Sequence, residues 1–164
     1  MQGGYLVGAT NAIASLIVIL YVERVGRKTI LAAGQLAMTI ALFFCGLAVL
    51  NQWNLTSFIM ILLGIVSYHF SQGSVAWLYV PEVTVDAAAG LAVAAQFINL
   101  TILSICFEYM INSALQVQGT FWYFAGITFI GFLFMVFIVK ETRGLEDVEK
   151  KTLYSPKEVA PNEA

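Results

Sequence analysis

The sequence predicts an all-α, polytopic membrane protein with five transmembrane helices. Hydrophobic residues make up 60% of its 164 residues and charged residues 11%, whereas a soluble domain has about 25% charged residues. No Lys, Arg, Asp or Glu lies between Lys28 and Glu82, and the stretches from Asp86 to Glu108 and from Glu108 to Lys140 are equally uncharged. Such runs are long enough to cross a bilayer as helices, which takes about 20 residues. They are too long and continuous for the strands of a membrane barrel.

The spans are predicted in chain order at about 4–22, 30–50, 56–81, 87–111 and 120–139. Charged residues end the first span, a polar loop at 51–54 ends the second, and Gly73 and Pro81 interrupt the long third span. The transmembrane region therefore covers residues 1–144. Residues 145–164 are predicted to form a polar tail, with a short surface helix at about 145–153 and a disordered end.

The basic residues predict the orientation of the spans. All eight lie either between the first and second spans or after the fifth, on one side of the membrane in a five-span count. The opposite loops, 51–55 and 112–119, carry no charge. The positive-inside rule then places the C-terminal tail in the cytoplasm and residue 1 outside. The net charge of -2 offers no basic surface, so no nucleic-acid partner is expected.

Three motifs lie at span boundaries: ERVGRK at 23–28, GSVAWLYVPE at 73–82 and ETRGLEDVE at 141–149. Their order resembles the sugar-porter family of the major facilitator superfamily, specifically the C-terminal five of its twelve helices. The family has Asp/Glu-Arg-x-Gly-Arg-Arg after helix eight, Gly-Pro-x-x-Trp with a following Glu in helix ten, and Pro-Glu-Thr-Lys-Gly after helix twelve. The resemblance covers about residues 4–150.

The resemblance implies a network of charges at the cytoplasmic ends of the helices. Its members here are Arg24, Arg27, Lys28, Glu82, Glu141 and Arg143. The chain also departs from the family pattern. Ser74 and Ala76 replace prolines that are often found in helix ten, and Lys140 replaces the Pro that opens the last motif. The family usually has an Arg soon after the helix-ten Glu, but residues 83–89 contain no cation.

Polar residues inside the spans allow two interpretations. Amides can join helices through hydrogen bonds of about 0.6 kcal/mol each, or they can face a polar substrate in a wet cavity. The resemblance implies sugar contact for Asn11, Trp77 and Gln96, and it places Phe97 where relatives have an aromatic residue beside the sugar. His69 lies where relatives often have a polar or acidic residue.

The chemistry of these side chains suits a hexose. Amides offer donors and acceptors to hydroxyl groups, and an indole face can stack on C–H surfaces. Gly73 and Pro81, in the span that corresponds to helix ten, are predicted to form a hinge that bends during gating.

The resemblance implies the C-terminal portion of a hexose transporter that works by alternating access, either facilitative or proton-coupled. Its expected partners are the sugar, protons if it is a symporter, the lipid bilayer and the N-terminal half of the same transporter. Without that half, we expect no transport. The plasma membrane is the expected location.

Two other classes of function differ from transport in the residues that they require. A non-transporting membrane subunit that binds a partner through its helices is the alternative, although it would not need the polar residues inside the spans. An intramembrane enzyme would need paired ionisable or metal-binding groups, whereas the spans contain one His and one distant Glu. We therefore expect no enzymatic activity, no cofactor and no bound metal.

Overall fold

The computed structural model describes Gly8, Ile13 and residues 25–154, apart from the side chain of Asp86. All regular elements in this part of the chain are helical, and four helices are long and apolar enough to cross a membrane. The predicted all-α class is therefore confirmed. Apart from Gly8 and Ile13, the predicted first span lies outside the described residues, as do Asn11, Arg24 and the end of the tail.

Six α-helices and one π-helical segment follow one another along residues 25–154. They are α1 (Arg27–Leu50), α2 (Asn54–Tyr68), the π-helical segment (His69–Gly73), α3 (Val75–Val83), α4 (Asp86–Ile111), α5 (Gln116–Phe137) and α6 (Asp147–Thr152). The sequence placed the second span at 30–50 and the fifth at 120–139, so both helices begin earlier than predicted. The third span, predicted at 56–81, consists of α2, the π-helical segment and α3.

The start of α1 differs most clearly from the sequence prediction. Arg27 and Lys28 were expected in a loop but form the first turn of the helix. Gly26, just before them, has a φ of 100°, which glycine adopts without the steric cost that a side chain would bring. The chain can therefore turn sharply at Gly26 and enter the helix at once.

Helix α1 is central to the bundle and packs against both α2 and α5. A buried apolar cluster joins it to α3 and to the chain after α5, and its members are Ile30, Leu31, Val75, Tyr79 and Val139. Glycines allow the closest approaches of α1. A Cβ atom placed on Gly34 would lie 2.5 Å from Ser71 Cβ, and one on Gly46 would lie 2.5 Å from Trp122 Nε1. Small residues at helix contacts are typical of membrane bundles.

The third span is irregular at its centre. The π-helical segment is followed by Ser74, whose φ of -123° and ψ of -53° depart from helical values before α3 begins. Pro81, in contrast, lies within α3, which continues to Val83. The backbone irregularity is thus located next to Gly73 and away from Pro81. A π-helical turn often marks a functional position within a helix.

Candidate functional site

A cavity of ≈ 240 Å³ lies between the third span and α4, and we call it the amide cavity. Two amides and one indole line it, from Gln72, Trp77 and Gln96. The remaining wall is apolar and is formed by Ala76, Val80, Ala92 and Val93. The structure therefore brings together two of the predicted sugar-binding residues, Trp77 and Gln96, and adds Gln72 to them.

Helical spacing explains how these side chains share one cavity. Ala76 and Val80 of α3 are four residues apart and Trp77 is three residues before Val80, whereas Gln72 belongs to the π-helical segment that precedes them. On α4, Gln96 is four residues after Ala92. Residues three or four apart lie on the same face of a helix. Each wall thus presents one or two polar or aromatic groups among small apolar ones, a composition typical of ligand sites.

The amide of Gln72 belongs to a series of hydrogen bonds that extends through α1 to α5. Gln72 Nε2 donates to Gln35 Oε1 at 3.1 Å, and Gln35 Nε2 donates to the backbone carbonyl of Thr128 at 3.2 Å. We call this series from α5 through α1 to the π-helical segment the glutamine relay. The hydroxyl of Thr39 lies 3.1 Å from the hydroxyl of Thr128 beside it. Gln35 was not among the predicted site residues, although an amide within an uncharged span is a signal in the sequence.

Of the other predicted sugar-binding residues, Phe97 and His69 do not line the amide cavity. Phe97 is next to Gln96 on α4, and its side chain is 59% exposed. The His69 ring makes an edge-on contact with Tyr68, with ring centroids 5.5 Å apart. Its Nδ1 would lie 3.0 Å from a Cβ atom on Gly73, so His69 packs over the glycine that ends the π-helical segment.

A cluster of charged and polar groups joins the ends of α1, α3 and the segment after α5. We call it the Glu82–Glu141 cluster, and its members are Arg27, Lys28, Glu82, Glu141 and Thr142. Arg27 Nη2 donates to Glu82 Oε1 at 3.0 Å, and the Thr142 hydroxyl donates to Glu82 Oε2 at 2.9 Å. Both oxygens of Glu82 are therefore occupied, and a partly buried ion pair connects two helices.

Glu141 acts on the backbone in this cluster. Its Oε1 accepts from Arg27 N at 2.9 Å and its Oε2 accepts from Lys28 N at 3.1 Å. Oε1 also accepts from the backbone N–H groups of Thr142 and Arg143, each at 3.1 Å. The first N–H groups of a helix have no partner within the helix, and a negative charge near them is favourable. Glu141 thus caps α1 from a distant part of the chain.

The predicted members of the charge network participate in different ways. Arg27 and Glu82 pair through their side chains, Lys28 contributes its backbone N–H, and Arg143 contributes its backbone N–H while its side chain is exposed. Thr142 was not predicted, because its role depends on a carboxylate 60 residues away in the sequence.

Tyrosines and a short helix hold the segment after α5. The Tyr79 hydroxyl donates to the Lys140 carbonyl at 2.8 Å and lies 2.7 Å from the Tyr154 hydroxyl. Helix α6 begins with a capping box formed by Glu146 and Glu149. The Lys150 ammonium donates to Asp147 Oδ1 at 3.0 Å and lowers the pKa of that exposed carboxyl. The sequence placed this helix at about 145–153, and it occupies Asp147–Thr152.

Known transporters match this chain in both sequence and structure. The Facilitated trehalose transporter Tret1 of Drosophila yakuba is 32% identical over 165 residues, and the alignment covers 90% of this chain and 19% of that protein. Tret1 of Aedes aegypti is also 32% identical, with coverage of 90% and 20%. The chain therefore spans about a fifth of the length of the curated relatives it matches.

Solved structures of the xylose transporter XylE have the same fold over this length. The inward-open conformation of XylE from E. coli matches with a TM-score of 0.84 and 27% identity, over 93% of this chain and 36% of that one. XylE bound to 6-bromo-6-deoxy-D-glucose, described as a proton:xylose symporter, matches with a TM-score of 0.82 and 25% identity, over 93% and 34%. The sequence profile of the family Sugar (and other) transporter matches residues 1–153. This chain is therefore a multi-pass integral membrane protein that belongs to the sugar (and other) transporter family of the major facilitator superfamily.

Proposed function

We propose that this chain is the C-terminal portion of a sugar transporter that works by alternating access, as a facilitator or a proton symporter. The observation that carries the proposal is the amide cavity, in which Trp77 and Gln96 face the same space as Gln72. A hexose presents hydroxyl groups that need both donors and acceptors, and amides supply both. Its C–H faces can stack on an indole. The names of the matched relatives, which are trehalose and xylose transporters, agree with this substrate class.

The remaining predicted side chains are assigned supporting roles. Phe97 is proposed to face the sugar pathway beside Gln96, together with Asn11 of the first span. His69 is proposed to act on the site through Gly73, against which its ring packs. Gly73 and Pro81 are proposed to let the third span bend, with Gly73 as the main hinge because the backbone irregularity lies beside it.

The Glu82–Glu141 cluster is proposed to form the cytoplasmic charge network, with Arg24 and Arg143 as further members. It connects α1, α3 and the tail, so these elements can move as one unit when the halves of a transporter rock past each other. With this cluster on the cytoplasmic side, the C-terminus is proposed to lie in the cytoplasm and the N-terminus outside. The plasma membrane is the proposed location. Tags at the two termini should be accessible from opposite sides, and access from one side alone would refute the orientation.

Sugar uptake tests the proposed function. The full chain should be expressed in cells that lack their own sugar uptake, alone and fused to the N-terminal portion of Drosophila yakuba Tret1 that it does not match. We expect uptake of labelled trehalose, D-glucose or D-xylose by the fusion and none by the chain alone, because substrate in such transporters binds between two halves. Uptake by the chain alone would contradict the need for a partner. No uptake by a fusion that reaches the cell surface would favour the non-transporting subunit.

Substitution of the two predicted cavity residues tests the site. Trp77→Ala and Gln96→Ala in the fusion should each raise KM about threefold to tenfold, since each removes one stacking or hydrogen-bonding contact with sugar. Trp53→Ala and Gln118→Ala are the matched controls. Trp53 lies just before α2 and Gln118 in the first turn of α5, and neither residue lines the cavity. An unchanged KM in both cavity variants would return these residues to a purely structural role.

A further inference from the structure

We propose that Gln72 is a further sugar-contacting residue, and that Gln35 is a positioning residue that fixes how Gln72 presents its amide to the cavity. This inference rests on the proposed transport function. It starts from the glutamine relay, in which one buried amide connects α5 to a second amide on the cavity wall.

The relay has a fixed direction. The backbone carbonyl of Thr128 can only accept a hydrogen bond, so Gln35 must turn its Nε2 toward it. The Gln35 Oε1 atom then faces Gln72, and because Oε1 can only accept, Gln72 must donate its own Nε2–H to it. If either amide were reversed, two acceptors or two donors would face each other. The carbonyl of Thr128 thereby determines the orientation of an amide on a different helix.

Burial keeps Gln35 in this arrangement. Its side chain is 6% exposed, and its Nε2 would lie 2.7 Å from a Cβ atom on Gly131, so α5 closes over it. A buried amide without partners would cost free energy, and both ends of Gln35 have one. Joining α1 to α5 needs only the bond to Thr128. The second bond, to Gln72, extends the polar path to the cavity.

The hydrogen-bond donor and acceptor of Gln72 that Gln35 does not use determine which ligand groups Gln72 can bind. One N–H of Gln72 bonds to Gln35, and within residues 25–154 its carbonyl oxygen and second N–H have no other partner, so both can serve a ligand in the cavity. A neighbouring donor and acceptor match an alcohol hydroxyl, which can accept from the N–H and donate to the carbonyl. The ligand class is therefore a polyol or sugar with a free hydroxyl at this position, held also by Gln96 and Trp77.

The test compares three variants in the Tret1 fusion, using whichever of trehalose, D-glucose and D-xylose the fusion carries best. Gln72→Met removes the contact, and Gln35→Met removes the positioning bond with a side chain of similar shape. We expect each to raise KM about threefold to tenfold. In the double variant, KM should be no higher than in Gln72→Met, because both changes remove the same contact. Ser67→Ala is the control, because among the described residues this buried hydroxyl bonds only to the Leu63 carbonyl of its own helix.

Monodeoxy analogues of the carried sugar separate positioning from a structural effect. For the analogue that lacks the contacted hydroxyl, Gln72→Met and Gln35→Met should have the KM of the unsubstituted fusion. An equal rise in KM for the parent sugar and all analogues would overturn the inference, and so would an unchanged KM for the parent sugar. In both cases the proposed function would stand. No uptake by the unsubstituted fusion would overturn both.

Discussion

Glu141→Ala is expected to lower the free energy of unfolding by about 2–3 kcal/mol, an effect in the range of a lost helix cap combined with lost charge-assisted hydrogen bonds. The carboxylate accepts hydrogen bonds from four backbone N–H groups, two in the first turn of α1 and two in the chain after α5. Alanine offers no acceptor, so the N-terminus of α1 loses its cap. The two hydrogen bonds by which Glu141 connects its segment to α1 are lost at the same time.

Titration of the chain with SDS in mixed micelles, followed by circular dichroism, would measure this change. Glu149→Ala is the matched control, because Glu149 is also a tail carboxylate but accepts one backbone N–H, that of Glu146 immediately before the short helix α6. The control should change the unfolding free energy by less than about 1 kcal/mol. Equal losses in the two variants would show that Glu141 acts only as one more surface charge.

The membrane helices could be predicted from the sequence because their cause is local. A bilayer core has no water to solvate charge, so the uncharged stretches themselves mark α1, the third span, α4 and α5. The start of α1 could not be predicted in the same way. Its cap is a carboxylate 114 residues further along the chain, so the first turn looked like part of a charged loop.

The residues of the candidate site likewise fall into those that local sequence could predict and those that depend on distant contacts. Trp77 and Gln96 were selected because their motifs resemble a family, and the structure places both on one cavity. Gln35 belongs to no motif, and its two partners are 37 and 93 residues away in the sequence. Contacts of this kind depend on which helix faces meet. The single-residue signal, an amide in an apolar span, could not identify either partner.

The tight contact between α1 and the third span at Gly34 provides the second large effect. Gly34→Ala is expected to destabilise the bundle by about 2–3 kcal/mol, since overpacking of a tight contact costs about 1–3 kcal/mol and a buried hydrogen bond adds to it. A Cβ atom at Gly34 would lie 2.5 Å from Ser71 Cβ and 3.0 Å from the backbone oxygen of Ser67. Neither group is the free end of a flexible side chain, so α1 and the third span must move apart. That movement strains the bond from the Ser71 hydroxyl to the Leu31 carbonyl.

Gly126→Ala separates this steric effect from the general effect of replacing a glycine in a helix. A Cβ atom at Gly126 in α5 would meet no atom of the described part of the chain within 4 Å. The same substitution should there be neutral or stabilise by about 0.5–1 kcal/mol, because alanine loses less backbone entropy on folding than glycine does. Gly34→Ala should therefore lower the SDS unfolding midpoint, whereas Gly126→Ala should leave it unchanged or raise it. A Gly34→Ala variant as stable as Gly126→Ala would mean that α1 and the third span do not approach as closely in the membrane.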